Sequence, residues 1–314
     1  SVPARQDTHL FHFNGQAGAP PDAFAVCGQN WGFPTYNWDE MAKDGYAWWR
    51  RRLQHTGQYF DAYRIDHVLG FFRIWEIPYE QLYGTLGYFR PALPLQQLDA
   101  EKFGFTKDIA YYSEPVLTPA MLEKIKASSN ENEMQRFVIE VDGEMRLRPE
   151  FKSQRYIVEN INEGKLRDIL MQAVAEVLFV QDHDKPGYYH PRITAQNTEV
   201  YKTLSDEERK AFDRLYDDFF YFRHNEFWAE EALKKIPAVI NYAADDNYPV
   251  AEHGGMLPCA EDLGMIPASV KSVLEQLSIL SLEIQRMPKA YGVRFGNTAD
   301  YPYLSVATPG THDM

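Results

Sequence analysis

Three short apolar runs in this chain each lead to an acidic residue, and their spacing constrains the fold more than any other feature. Phe60-Asp61-Ala62-Tyr63-Arg64-Ile65 leads to Asp66, and Met256-Leu257-Pro258-Cys259-Ala260 to Glu261. Tyr303 to Ala307 runs on through Thr311-His312 to Asp313. Bounded by turn residues, such runs read as strands, and another follows at Ser278 to Ile284 after a helix that has Pro267 in its first turn and ends near Gln276. Strand, helix, strand with acids at the strand ends is α/β organisation, and in a (β/α)8 barrel the catalytic groups sit at the carboxyl ends of the strands. A barrel unit takes about 30 residues. The 52 residues from Glu261 to Asp313 fit two units, whereas the 195 from Asp66 to Glu261 hold either several further strands or a large insertion, and the hairpin and long helices of 95–225, unlike repeated βα units, favour the insertion. The expected fold is α/β, a partial (β/α)8 TIM barrel with a large, mostly helical insertion. Its segments are 1–90 (with the strand that ends at Asp66), 91–235 (insertion) and 236–314 (with the strands that end at Glu261 and Asp313). About 160 residues remain for the barrel, roughly five units. With Ser1 opening mid-loop and Met314 directly after an acid, the chain reads as a fragment.

The remaining segments read more locally. Residues 1–40 are loop-like. A helical pattern from Trp38 to about Tyr59 carries Met41, Tyr46, Trp49 and Leu53, and Leu69-Gly70 reads as a turn. Gly84 to Leu98 is a connection. Phe137 to Val141, Asp142-Gly143 and Met145 to Leu147 read as a hairpin, because Asp-Gly suits a type I′ turn. Residues 163–180 read as one helix. A second opens on Ser205 and Glu208, an S-x-x-E capping box, and runs to about Lys235, with room for a break.

Composition excludes several classes. The formal net charge is −13, and no Lys/Arg-rich run offsets it, so nucleic acid and anionic membrane are poor partners. Two cysteines, Cys27 and Cys259, make neither a disulfide scaffold nor a structural zinc site, and Cys259 reads as a buried strand residue. No apolar run approaches 18 residues and no signal-peptide core opens the chain, so a cytoplasmic setting is the expectation. Phosphate-cradling glycine loops and a G-x-S-x-G elbow are absent. Asp182-His183-Asp184 with His190 reads as a solvated loop. Asp245-Asp246-Asn247 with Glu252-His253 lacks calcium-loop spacing, so no metal is expected. His224-Asn225-Glu226 reads as a helix surface. The 20 Tyr, 19 Phe and 6 Trp often neighbour polar forks, as in Gln29-Asn30-Trp31, a pairing suited to sugar rings as well as to an aromatic core.

The acids themselves carry chemistry. Retaining glycoside transfer needs two carboxyl groups about 5–5.5 Å apart, one ionised to attack and one protonated to donate. Glu261, following an apolar run and beside Asp262, suits a raised pKa. Asp66, between Arg64 and His67, suits a lowered one.

These residues also carry a resemblance. Tyr63-Arg64-Ile65-Asp66-His67 with Gly70-Phe71-Phe72-Arg73-Ile74-Trp75-Glu76-Ile77-Pro78 resembles the nucleophile region of 4-α-glucanotransferases, the amylomaltase or disproportionating enzymes of glycoside hydrolase family 77. Gly28-Gln29-Asn30-Trp31-Gly32-Phe33-Pro34-Thr35-Tyr36-Asn37-Trp38 resembles the family's substrate loop, Ala260-Glu261-Asp262-Leu263-Gly264 its acid/base strand end, and Thr311-His312-Asp313 its third acidic site. The resemblance implies Asp66 as nucleophile, Glu261 as acid/base and Asp313 as the residue favouring the distorted sugar. It further implies Arg64, His67, His312, Trp31 and Tyr36 as substrate-binding residues, with Asp262 and Gln285 as weaker assignments. It implies no cofactor, and as partners maltose, malto-oligosaccharides and glycogen- or starch-like glucans. Phe33, where compact members have Asn, and the long insertion resemble the branch that includes the plant second disproportionating enzyme. That branch passes one glucosyl unit of maltose to a branched glucan. A hydrolase with the same acids and a glucan-binding fragment without catalysis are the rival readings.

Overall fold

The acid-tipped strands lie side by side. In this computed structural model, which describes residues 2–22, 25–129, 131–241, 255–290 and 292–311, the strands Ala62–Ile65, Leu257–Ala260, Leu280–Ile284 and Ser305–Thr308 form one sheet. All neighbouring pairs are parallel, and each strand pairs with the one before it in chain order. Ala62 faces Leu257 and Ile65 faces Ala260, which fixes the register that brings Asp66 and Glu261 to the same end of adjacent strands. Parallel strands require crossovers, and the helix Val270–Gln276 supplies one, burying Val270, Val273 and Leu274. The helix Asn225–Ile240 packs on Ala47–Thr56, Leu69–Phe72 and Val270–Gln276. Its buried Trp228, Ala232, Lys235, Ile236 and Val239 recur at helical spacing. These elements belong to one of two compact units, residues 3–10, 36–74 and 224 onward; the other comprises chiefly 11–35 and 75–223.

The second unit is mixed. Gly15–Ala19 pairs antiparallel with Ile74–Pro78 and with Gln29–Asn30, and Tyr88–Arg90 completes a four-stranded sheet. A hairpin, Val138–Val141 and Glu144–Leu147, turns at Asp142 (φ 52) and Gly143 (φ 81), the left-handed pair that a type I′ turn requires. Behind it Met121, Ile125, Phe137, Val138, Leu147, Phe151, Ile157 and Leu170 make a buried cluster. Ser205 accepts from the Glu208 N–H and Glu208 from the Ser205 N–H at 2.8 Å, so the capping box forms.

Several local readings need correction. The helix expected over 163–180 is Lys165–Val174, because the groups beyond it bond elsewhere. Glu176 O accepts from Val116 N–H and Leu178 N–H donates to Tyr112 O, after which Phe179–Gln181 is a strand. The helix read from Ser205 to about Lys235, with room for a break, does break: it runs as Asp206–Asp217, a π turn Asp218–Phe222, and Asn225–Ile240. The pattern from Trp38 splits into Trp38–Ala42 and Ala47–Thr56 at Gly45 and Tyr46, both with positive φ. Leu69–Phe72 is a short helix rather than a turn. Pro267 precedes its helix, its carbonyl accepting from Val270 N–H at 3.1 Å.

The described part of residues 1–40, expected to be loop-like, carries the short helix Val2–Gln6 and four short strands between its loops. Gly-Gln-Ala-Gly-Ala lacks β-branched residues, yet a Cβ on Gly18 would lie 2.1 Å from Gln29 O, so close strand approach selects the glycine. His224 is 1% exposed and stacks on Trp228 at 4.5 Å, not on a surface. The 182–184 loop is exposed at His183 and Asp184 as expected, but it is anchored: Asp182 accepts from the Asp184 and Lys185 N–H groups and pairs at 3.0 Å with His190, which is buried rather than solvated. Asp245, Asp246, Asn247, Glu252 and His253 lie outside the described residues. Among those described, no cluster of three His, Cys, Asp or Glu side chains is arranged to hold a metal ion, and no helix is long and apolar enough to cross a membrane.

Glu76 is a buried charge with a task. It is 2% exposed, and its Oε2 accepts from the Thr35 hydroxyl at 2.5 Å while Oε1 accepts from Arg90 at 2.8 Å. Arg90 also pairs with Asp184. Glu76→Ala is expected to lower the unfolding free energy by about 2–3 kcal/mol, because it strands the Thr35 hydroxyl and half of the Arg90 pairing. Denaturant unfolding checks this, and a loss below about 0.5 kcal/mol contradicts the assigned role.

Candidate active site

The backbone builds the site first. Glu261 N–H donates to Ile65 O at 2.9 Å, and Val68 N–H donates to Glu261 O at 3.0 Å, so strand pairing continues to the carboxyl ends. His67 then takes a positive φ of 50°, and its N–H donates to Glu261 Oε2 at 2.7 Å. Leu263 N–H donates to Oε1 at 3.0 Å. The acid that directly precedes His67 is Asp66.

The two carboxyl groups have opposite surroundings. Glu261 is 8% exposed, and burial pushes its pKa up. The two backbone N–H bonds pull it down, and the Asp66 charge pushes it up again; the net direction is up. Asp66, by contrast, has a side chain 81% exposed and accepts from Arg64 Nη2 at 2.6 Å. One carboxyl is thus buried and shifted toward holding its proton, while its neighbour lies exposed against a guanidinium, a contrast suited to acid/base and nucleophilic roles.

Burial holds the His67 imidazole pKa down at about 4, with the Arg73 charge adding to the effect and Asp66 opposing it. His67 is therefore neutral at pH 7. The native state takes up this proton only near pH 4, while the unfolded chain takes it up near 6.5, so the unfolded state binds more protons in between. Stability is expected to rise by about 3 kcal/mol from about pH 4 to 6.5 through this group and to level off above. An NMR titration of the His67 ring checks it; a midpoint near 6.5 would contradict the burial argument.

Other expected site residues are spread out. Asp262 is buried and paired with Lys289 at 2.7 Å, accepting also from Leu282 N–H, an arrangement that ties two strands. Gln285 is half-buried, its N–H donating to Thr308 O and its carbonyl accepting from Gly296 N–H. Tyr36 packs among Trp38, Trp48 and Trp49 with ring centroids at 5.2, 6.0 and 5.4 Å, and burial raises its phenol pKa. Trp31 belongs to the other unit, stacked on Phe33. His312 and Asp313 lie outside the described residues. The sequence reading missed Lys289 as the partner of Asp262, and Glu76 as the anchor of Thr35. A charge inside Ile74-Trp75-Glu76-Ile77, an otherwise apolar strand, was the available signal, since a buried charge must be paired.

A family model for 4-alpha-glucanotransferase matches residues 1–314. The 4-alpha-glucanotransferase DPE2 of Oryza sativa subsp. japonica is 35% identical over 316 residues, covering 97% of this chain and 32% of that protein. The 4-alpha-glucanotransferase of Aquifex aeolicus is 38% identical over 116 residues, 33% of this chain and 24% of that protein. The chain thus spans a third or less of the length of these relatives. Among solved structures, the amylomaltase from Streptococcus agalactiae in complex with acarbose overlays at a TM-score of 0.44 with 15% identity, over 100% of this chain and 35% of that one.

Proposed function

Because this chain belongs to the 4-alpha-glucanotransferase family, glycoside hydrolase family 77, we propose that it carries the catalytic core of a retaining transferase of α-1,4-glucosyl units. The observation that carries the reading is the placement of a buried Glu261, its pKa pushed up by burial, beside an exposed, Arg64-paired Asp66 at adjacent strand ends. The four parallel strands are taken as part of a (β/α)8 barrel, and 91–235 as an insertion into it.

In the proposed reaction the Asp66 carboxylate attacks the anomeric carbon of the donor, and Glu261 gives its proton to the departing glycosidic oxygen. The leaving sugar departs with that proton, and the remaining glucosyl unit is held as an ester on Asp66. An acceptor 4-hydroxyl then attacks the same carbon, its proton passes to the Glu261 carboxylate, and Asp66 is released. Two inversions leave the α configuration unchanged. Arg64 would orient the Asp66 carboxylate through their ion pair, with His67, His312 and Asp313 holding sugar hydroxyls, and Trp31 and Tyr36 contacting the glucan. Donors would be maltose and malto-oligosaccharides, acceptors glycogen- or starch-like glucans, and the setting cytoplasmic.

The test is to incubate the full chain with maltose and glycogen while following free glucose and total reducing ends. Transfer exchanges one reducing end for another, so glucose should accumulate while the total stays constant. A rising total would mean that water is the acceptor and the enzyme a hydrolase. Absence of both glucose and new ends would remove maltose as the donor.

A further inference from the structure

We propose that Phe33 is a second sugar-stacking residue, which with Trp31 forms a prebuilt aromatic platform for a segment of α-glucan; this deepens the glucan reading above and rests on it. The rings are 5.8 Å apart, with planes only 24° from parallel. Their placement is fixed from behind by one residue. The Trp31 N–H donates to Ala17 O at 2.9 Å, and the Ala17 N–H donates to Phe33 O at 2.9 Å, so the strand Gly15–Ala19 clasps both aromatic positions. Gly32 between them turns with φ +71, and its N–H donates to Asn30 Oδ1 at 2.9 Å. The Trp31 indole N–H donates to Gln29 Oε1 at 3.0 Å, which sets the orientation of that ring. Two residues after Phe33, Thr35 is held by the buried Glu76.

Against this anchorage Phe33 leaves 48% of its surface exposed. A phenyl ring so held, yet not used to fill a core, is available to a ligand whose own surface is apolar on one side. The CH face of a pyranose is such a surface, and a loop already ordered gives up little conformational entropy on binding. Phe33 therefore sets how many sugar rings the loop grips, and with that the preference for long chains over short ones.

The test compares Phe33→Ala, Phe33→Tyr and wild type in the full chain, with maltoheptaose and glycogen as probes. Calorimetric Kd and acceptor KM should rise about 10-fold in Phe33→Ala, with the effect on KM and not kcat, and Phe33→Tyr should restore both within a factor of about two. Hydrogen exchange at the Trp31 amide should be unchanged. Phe33→Ala binding like wild type would overturn the proposal while leaving the glucan reading standing, as would a loss that tracks faster exchange at Trp31, since the ring would then only hold the loop. Wild-type chain that binds neither probe would overturn both.

Discussion

Asp66→Asn is expected to lower glucosyl transfer by about 10^4-fold or more while glucan affinity stays within about threefold. The amide keeps the shape of the carboxylate but has no electron pair able to displace a glycosidic oxygen, so the covalent step is lost and the ground-state contacts are kept. Stability should hardly move. The Arg64–Asp66 pair has its carboxylate 81% exposed, and exposed pairs contribute about 0–1 kcal/mol. A second consequence separates a catalytic loss from a general one. The Asp66 charge is one of the causes raising the Glu261 pKa, so a neutral amide in its place should let that pKa fall, a shift measurable by NMR on the Glu261 carboxyl. Retention of more than about 1% of the transfer rate would remove Asp66 as the nucleophile.

The sequence made the sheet legible and left much of its setting dark, for physical reasons that differ by element. Strand ends at Asp66 and Glu261 could be read because short apolar runs stop on a charge, and the structure pairs those runs in parallel register. The Asp142-Gly143 turn and the Ser205/Glu208 capping box could be read because the residues next to each other in the chain decide them. Gly15–Ala19 could not, since its pairing with Ile74–Pro78 is decided by residues some 60 positions away. Nor could the end of Lys165–Val174, which tertiary bonds to the 112–116 segment set. Asp262 shows the same limit at the site. It adjoins the acid/base candidate in sequence, but successive residues of an extended chain point opposite ways, and its carboxylate meets Lys289. Proximity in sequence to a catalytic acid is thus weak evidence of contact with substrate.

Glu261→Gln should lower transfer from maltose by about 10^2–10^4-fold, the usual worth of a placed general acid, and the deficit should depend on the leaving group. A glycosidic oxygen needs a proton to depart, whereas fluoride does not. With α-glucosyl fluoride as donor the first displacement should therefore survive, and the ester on Asp66 should accumulate because no base takes the acceptor's proton. Mass spectrometry of the intact chain would detect the added glucosyl unit. The pH profile gives an independent reading. Glu261 must be protonated to begin the reaction, and its raised pKa extends the protonated form to higher pH. Wild-type activity should fall as pH rises through that pKa, and the alkaline limb should vanish in the variant. Folding should survive the change. The introduced amide has one carbonyl oxygen, which can accept from only one of the two N–H groups of His67 and Leu263, a cost of about 1–2 kcal/mol against a domain stability of about 5–15. If the variant processes maltose and the fluoride with equal loss, the proton comes from elsewhere and Glu261 is a structural carboxylate that ties His67 to the next strand.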